Sequence, residues 1–177
     1  LRLPMTKAAV RAMDTISGLM MDKDGGGRAV DKFVVAGGSK RGWTTWTTAG
    51  VDDRVEAIVP VVIDLLNLEP SFMHHWNVYG FWAPAIQDYV DMEITDWWAS
   101  EEMRSLIRLV DPFSMKERFE MPKLLVNAAG DEFFLPTSSQ FYFDEFHSHD
   151  GTYMVGAKHT PYNHETLEIV RNTQVTP

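Results

Sequence analysis

A serine flanked by glycines interrupts a strand-like apolar run in the segment VAGGSKRGWTTW, at residues 35–46. A serine hydroxyl becomes an effective nucleophile when a base removes its proton and a third group orients that base. Enzymes often place such a serine on a tight turn between a strand and a helix, with small residues on both sides. Gly37 stands two residues before Ser39 and Gly42 three after it, which gives G-x-S-x-x-G instead of G-x-S-x-G. The pattern predicts a variant nucleophile turn, and a structural glycine-rich loop at a helix start is the alternative.

An aspartate and a histidine follow two later strand-like runs, in the order that this chemistry uses. Asp131 lies in AAGDEFFLP after one run, and His159 lies in VGAKHTP after the next. Taken singly, Asp131 would be a turn residue and His159 a loop histidine bonded to a carbonyl. Together they predict a Ser-His-Asp triad that cleaves an ester or amide bond. Ser39 attacks the carbonyl, His159 is the general base and then the acid, and Asp131 orients the imidazole.

Two other residues are alternatives for these roles. Asp64 also ends a buried apolar run, so it satisfies the same positional rule as Asp131. His164 follows His159 closely and would be the base if the intervening loop were longer than predicted. A position on the last helix, where it caps or packs, is the other interpretation of His164. Asp64 is therefore kept as the alternative acid.

Two cations directly follow the serine. The backbone N–H of Lys40, the residue after the nucleophile, is the predicted donor to the oxyanion of the tetrahedral intermediate. Arg41 is a candidate for binding an anionic group of the substrate. Its alternatives are an ordinary solvated charge and an ion pair with Asp64.

Residues 71–100 contain four of the six tryptophans and show no clean periodicity. The aromatic candidates for lining a substrate cleft are Trp76, Phe81, Trp82, Trp97 and Trp98. Of these, Trp76 and Trp82 are the substrate-binding candidates, and a small core formed by the segment itself is the alternative. Trp43 and Trp46 are three residues apart on the helix predicted after the serine, which predicts that both lie in the core.

The elements that would position these groups alternate between strand and helix. Strands are predicted at residues 32–38, 55–67, 122–134 and 151–159, and helices at residues 5–22, 40–49, 101–111, 136–150 (capped within 137–139) and 163–171. This alternation predicts an α/β domain with a largely parallel sheet. Ligands of such sheets bind beyond the carboxyl ends of the strands. Ser39, Asp64, Asp131 and His159 all fall just after predicted strand ends.

Composition narrows the classes of partner. The formal net charge is −9 and no long basic patch exists, which argues against a nucleic-acid partner. No apolar run is long enough to span a bilayer, and no signal-peptide pattern is visible at the start. Cysteine is absent, and the histidine pairs at 74–75 and 147–149 match no metal-binding motif, so neither a metal nor a cofactor is predicted.

Several long segments closely resemble the PhoPQ-activated pathogenicity-related proteins, a branch of the α/β-hydrolase superfamily. The segments are GGSKRGWTTWTTAGVDDRVEAIVPVVIDLLN, VDPFSM, MPKLLVNAAGDEFFLP and FYFDEF, and the resemblance runs from about residue 30 to 160. The serine motif of that family falls on Ser39, its acid motif on Asp131 and its histidine on His159. Before that histidine the family usually has Tyr-Val-Pro-Asn, whereas this chain has YMVG at 153–156.

The resemblance implies an α/β-hydrolase fold and a serine hydrolase, with esterase and peptidase activity both open. It also implies an exported protein that is longer, with more sheet before the serine strand. We therefore expect residues 1–177 to be one α/β-hydrolase domain, as the C-terminal portion of a larger one, with a cap-like insertion at residues 68–110. In that fold the second oxyanion N–H comes from a loop earlier than Leu1, so the missing N-terminal part is an expected partner.

The substrate is expected to be a small molecule or a peptide. Serine esterases that act on uronic acid esters share G-x-S-x-x-G with a cation after the serine, which favours a substrate bearing a carboxylate. The alternative function is a catalytically silent, secreted binding or signalling protein on the same scaffold, since a fold does not guarantee an activity.

Overall fold

The computed structural model of the chain describes residues 2–146, together with the backbone of residues 152–157 and 170–171. Within these residues, the strands β1 (Phe33–Gly38), β2 (Val55–Val61), β3 (Lys123–Ala128), β4 (Thr152–Ala157) and β5 (Val170–Arg171) form one sheet in the order β1-β2-β3-β4-β5. The first four strands are parallel, and β5 is antiparallel to β4. The predicted α/β class with a mostly parallel sheet is confirmed.

The described helices are α1 (Arg2–Met21), α2 (Lys40–Ala49), α3 (Leu68–Tyr79), α4 (Gln87–Asp91) and α5 (Glu101–Val110). Short 3₁₀ turns lie at Pro84–Ile86, Ile94–Asp96, Pro112–Arg118, Ser138–Phe141 and Phe143–Glu145. The predicted helices before β1 and after the serine are confirmed, as is the one that ends before Pro112. Residues 71–100, which lack a clean period, contribute α3, α4 and short turns between β2 and β3.

The threonine-rich helix α2 crosses from β1 to β2 and is buried along most of its length. Thr45 and Thr47 are buried because their hydroxyls donate to the carbonyls of Arg41 and Trp43, one turn earlier. Trp46 is fully buried and packs edge-on against Phe119 with ring centroids 5.1 Å apart. Bonds within the helix thus satisfy the buried hydroxyls of Thr45 and Thr47, whereas that of Thr48 is buried without a hydrogen-bond partner among the described residues.

The prediction that Trp43 and Trp46 lie in the core is confirmed. Both belong to the main hydrophobic cluster. Trp43 also donates its indole N–H to the carbonyl of Val110 at the end of α5, with a distance of 2.7 Å. This bond fixes α2 against the helical segment between β2 and β3.

The strand register brings the carboxyl ends of the parallel strands to one edge. Gly38 of β1 pairs with Val61 of β2, and Val61 pairs with Val126 of β3. Ala128 of β3 pairs with Ala157 of β4. The carboxyl ends of these four strands therefore lie side by side, at the edge where ligands of such sheets bind.

Several predicted elements differ from the observed ones. The strands predicted at 55–67 and 122–134 are shorter than predicted. They end at Val61 and Ala128, where the backbone leaves the sheet at the carboxyl ends of the strands. The helix predicted at 136–150 is wrong over its described part, which forms 3₁₀ turns without a side-chain cap from Thr137. Tyr142 has φ −149°, which breaks helical geometry and directs its ring into the core.

The last predicted helix, at 163–171, lies mostly outside the described residues. Its final two residues, Val170–Arg171, form β5 against β4, so the helix prediction is wrong for them. Pairing with an existing strand satisfies their backbone groups as a helix would, and local sequence cannot distinguish these two solutions.

Candidate active site

Ser39 occupies a strained turn between β1 and α2. Its backbone has φ 50° and ψ −120°, which non-glycine residues rarely adopt. The Ser39 N–H donates to the carbonyl of Val61 at 2.8 Å, and its carbonyl accepts from the N–H of Trp43 at 3.0 Å. These bonds to the neighbouring strand and to the helix hold the turn. The residue itself is exposed at the carboxyl edge of the sheet.

The two glycines of G-x-S-x-x-G are both required by close backbone approach. A Cβ on Gly37 would lie 2.6 Å from the carbonyl oxygen of Arg41. A Cβ on Gly42 would lie 2.7 Å from Cγ2 of Ile63 and 2.9 Å from the carbonyl oxygen of Gly37. The first turn of α2 therefore lies close against the end of β1 at both Arg41 and Gly42, and a side chain at either glycine would separate them.

The N-terminus of α2 begins directly after the serine. Lys40 is its first residue, and the first N–H groups of a helix have no intrahelical acceptor. The helix dipole adds a partial positive charge at the same place. The side chains of Lys40 and Arg41 are both exposed. The alternative ion pair between Arg41 and Asp64 is not formed, because Asp64 is buried and bonded elsewhere.

The turn after β2 is also strained, at a residue that the sequence did not single out. Val62 has φ 45°, an outlier for a β-branched side chain. Its N–H donates to the carbonyl of Val126 on β3 at 2.7 Å. The Ser39 N–H donates to the carbonyl of Val61, the residue before Val62. This hydrogen bond joins the strained turn after β1 to the strained turn after β2. No sequence signal indicates this conformation, since valine is among the least suited residues for it.

Asp64 follows this turn and is sealed inside the protein, with 1% of its surface exposed. The Tyr142 hydroxyl donates to its Oδ1. Burial raises the pKa of Asp64 to about 7, against the opposing effect of the Tyr142 bond. Burial likewise raises the pKa of the Tyr142 hydroxyl, and the neighbouring Asp64 adds to this shift. No sequence pattern indicates this role for Tyr142, although it lies in the segment FYFDEF.

Asp131 occupies a different environment, in the turn after β3. Its Oδ1 accepts the N–H groups of Phe133 and Phe134, each at 2.9 Å. Its own N–H donates to the carbonyl of Ala128 at 3.1 Å. The residue is partly exposed, and among the described residues its Oδ2 has no hydrogen-bond donor. The carboxylate is thus fixed by the backbone with one oxygen available.

His75 on α3 was not predicted as a functional residue, but it contacts the loop that carries Asp131. Its Nδ1 lies 3.2 Å from the carbonyl oxygen of Phe133, and its Nε2 accepts the N–H of Ala83 at 3.0 Å. The adjacent His74 bonds through Nε2 to the hydroxyl of Thr137 at 2.8 Å. The sequence signal for His75 is the pair of histidines within the aromatic segment, a pattern that matches no metal-binding motif.

The predicted bases His159 and His164 lie outside the described residues, as does the cluster at 147–150. Ser39, Asp64 and Asp131 all lie at the carboxyl edge of the sheet. Within residues 2–146, no group of three or more histidines, aspartates or glutamates could hold a metal ion. No helix in the described part of the chain is long and apolar enough to cross a membrane.

The aromatic residues between β2 and β3 form a connected cluster. Trp82 stacks on His75 with centroids 5.8 Å apart and also contacts Trp76 at 5.0 Å and Phe72 at 6.0 Å. Phe72 in turn contacts Trp98 at 4.8 Å. Trp82 and Trp98 are half-buried, whereas Trp76, Phe81 and Trp97 are exposed by 40%, 56% and 53%. The segment therefore builds a small core of its own and also presents aromatic surface.

Asp111, in the segment VDPFSM, holds this helical region onto the sheet edge. Its buried carboxylate accepts the N–H of Leu68 at the start of α3 through Oδ2, at 2.8 Å. It also accepts the N–H of Phe113 through Oδ1, at 3.0 Å. Burial raises the pKa of Asp111, while these backbone bonds act in the opposite direction.

The parallel sheet, the crossover helix and the serine turn define an α/β-hydrolase fold. Acetyl xylan esterase 1 from a Thermoanaerobacterium species has a TM-score of 0.54 at 17% identity, over 89% of this chain and 47% of that chain. An acetyl xylan esterase from a Paenibacillus species has a TM-score of 0.50 at 21% identity, over 87% and 46%. A puromycin hydrolase also has a TM-score of 0.50, at 20% identity, over 80% and 19%.

Sequence similarity assigns the family. The chain belongs to the PhoPQ-activated pathogenicity-related protein family, whose family model matches residues 1–173. It is also similar to autocrine proliferation repressor protein A of Dictyostelium discoideum, with 42% identity over 147 residues. That match covers 81% of this chain and 28% of the relative, so the chain spans less than a third of the relative's length. The resemblance noted from the sequence is confirmed.

Proposed function

We propose that the protein is a serine hydrolase that cleaves an ester or amide bond, with Ser39 as its nucleophile. The observation that carries this proposal is the strained, exposed conformation of Ser39 at φ 50° between β1 and α2. Backbone strain of this kind persists only where the surrounding structure enforces it, and it is typical of functional sites. Here the enforcing contacts are the Val61 bond and the close packing at Gly37 and Gly42.

Asp131 is the proposed acid, in preference to Asp64. A triad aspartate must be ionised and must present an oxygen to the imidazole N–H. Asp131 is fixed through Oδ1 and retains Oδ2 for that bond. Asp64 accepts the Tyr142 hydroxyl on Oδ1 and its Oδ2 is buried, so neither oxygen is open to solvent, and its raised pKa disfavours the charged form near neutrality.

His159 is the proposed base, although it lies outside the described residues. It follows β4, and β4 pairs in parallel with β3. Because Ala128 and Ala157 are paired, the residues after them leave neighbouring strand ends. Asp131 comes three residues after Ala128 and His159 two after Ala157, which supports their pairing. His164 is the alternative base.

The oxyanion is proposed to bind the N–H of Lys40 at the start of α2, where the helix dipole also favours negative charge. A second N–H donor is proposed to come from another segment of a longer protein, since relatives exceed this chain severalfold in length. Arg41 is exposed beside the serine and is proposed to bind an anionic substrate group. Trp76, which is exposed, and Trp82, which is half-buried, are proposed to line the cleft.

The substrate is proposed to be a small-molecule or peptide ester or amide. The fold relatives include acetyl xylan esterases and a puromycin hydrolase, which support both bond types without deciding between them. No cofactor is required by this chemistry. Export is proposed from membership of the family. Residues 68–110 are proposed to act as a cap because they are inserted between β2 and β3.

The proposal is tested by labelling the full-length protein with a fluorophosphonate probe, which phosphonylates activated serines. We expect labelling of the wild type at Ser39 and complete loss of it in Ser39→Ala. Ser114, which is exposed on the 3₁₀ turn at Pro112–Arg118, provides the matched control, and Ser114→Ala should be labelled normally. Absence of labelling in a correctly folded wild type would refute the proposal.

A second candidate is a catalytically silent binding or signalling protein. The name of the Dictyostelium relative, a proliferation repressor, favours this function, and so does the altered YMVG segment before His159. The same labelling experiment separates the two, because a silent protein would show no Ser39-dependent reaction with the probe.

A further inference from the structure

The imidazole of His75 is fixed in one tautomer by its two neighbours. A backbone N–H can only donate, so the bond from Ala83 requires Nε2 of His75 to be the accepting nitrogen. A neutral imidazole then carries its proton on Nδ1, which faces the carbonyl oxygen of Phe133 at 3.2 Å. Burial lowers the pKa of His75, the direction that keeps the ring neutral.

The ring orientation is fixed independently by packing. His75 is 4% exposed. Trp82 stacks on one face of its ring, with an interplanar angle of 17°. Tyr79 approaches the ring edge-on at a centroid distance of 5.0 Å. The packing therefore fixes the plane of the imidazole, and the bonds to Ala83 and Phe133 distinguish its two nitrogens.

Phe133 transmits this constraint to the proposed acid. Its carbonyl faces Nδ1 of His75, and its N–H donates to Oδ1 of Asp131 at 2.9 Å. The backbone of Phe133 thus bonds to both His75 and Asp131. A continuous chain of hydrogen bonds runs from the N–H of Ala83 through His75 and Phe133 to Asp131.

We propose that His75, as its Nδ1–H tautomer, is a positioning residue that orients Asp131 by holding the backbone of Phe133. This inference rests on the proposed function, in which Asp131 orients the catalytic base. It also gives the segment between β2 and β3 a role beyond binding substrate, because α3 sets the geometry of the acid loop. His75 contacts neither the nucleophile nor the acid directly.

The test compares the fluorophosphonate labelling rate of Ser39 in full-length variants. His75→Phe preserves the ring and its stacking but removes both nitrogens, and we expect a fall of about 10–100-fold, since small misplacements of supporting groups have effects of this size. His75→Asn retains an amide donor near the position of Nδ1 and should recover part of the rate. His74→Phe removes the bond to Thr137 on the same helix and should change the rate less than about 3-fold.

A spectroscopic readout tests the position separately from activity. In ¹H–¹⁵N spectra of the wild type, His75 should show a protonated Nδ1 and an unprotonated Nε2. In His75→Phe, the amide resonances of Phe133 and Phe134 should shift toward values of weaker hydrogen bonds, whereas His74→Phe should leave them unchanged. If His75→Phe fails to fold, the labelling rate of His75→Asn and the protonated nitrogen of His75 in the wild type test the inference instead.

Unchanged labelling in His75→Phe, or a proton on Nε2 in the wild type, would overturn the inference. If the wild type is not labelled at all, the proposed function fails instead. The amide shifts would then still decide whether His75 positions the Asp131 loop.

Discussion

Asp64 and Asp131 stand at equivalent places, each just beyond the end of a parallel strand, yet their surroundings are opposite. Asp64 is sealed in the core under the Tyr142 hydroxyl, and burial raises its pKa to about 7. Asp131 is partly exposed and receives two backbone N–H groups on one oxygen. A strand-end position therefore selects candidates, but solvent access and bonding decide which carboxylate can orient a histidine.

The largest effect is expected from Asp131→Asn. An amide at this position cannot stabilise the protonated base and favours the wrong tautomer, so the labelling rate of Ser39 should fall by about 10⁴-fold. The thermal unfolding midpoint should change little, because the amide oxygen can still accept both backbone bonds. Retention of full reactivity would exclude Asp131 as the acid of the proposed triad and favour Asp64 instead.

Asp64→Asn is expected to change stability and not reactivity. The folded pKa of Asp64 is about 7, above its ordinary value of 3.8, so between these values the folded protein binds a proton that the unfolded chain does not. The stabilisation from this proton is complete below about pH 4 and is lost as the pH rises to 7, a change on the order of 4 kcal/mol.

The asparagine variant lacks this titration. Its free energy of unfolding relative to the wild type should therefore increase from pH 4 to pH 7, measured by urea denaturation at several pH values. Reactivity per folded molecule should stay within a few-fold of the wild type. A loss like that of Asp131→Asn would make Asp64 the functional acid.

A smaller effect is expected from Tyr142→Phe, which removes the donor to Asp64 and leaves the ring packing in place. A buried carboxyl that loses its partner costs about 1–3 kcal/mol, to be read from the denaturation midpoint in urea at pH 7. Removal of this bond should raise the pKa of Asp64 further, so its pH-dependent loss of stability should move to higher pH. Identical midpoints would show that the hydroxyl contributes nothing to Asp64.

The features that depend on residues close together in the sequence were predictable. The glycines around Ser39 and the alternation of strand and helix were sufficient for the turn, for α2 and for the parallel sheet. The contrast between Asp64 and Asp131 was not predictable, because it depends on Tyr142, which reaches Asp64 from a distant part of the chain. The segment at 71–100 has no periodicity because its side chains pack on one another and on the acid loop, rather than along one helix face.

The positive φ of Val62 has a consequence for synthesis on the ribosome. Its N–H is held by Val126 of β3, and the neighbouring Val61 holds Ser39. A nascent chain that has emerged only through β2 has already made the serine, both glycines and α2, but lacks the acceptor that secures this corner. The corner next to the Ser39 turn is therefore secured only once β3 has been synthesised and can pair with β2.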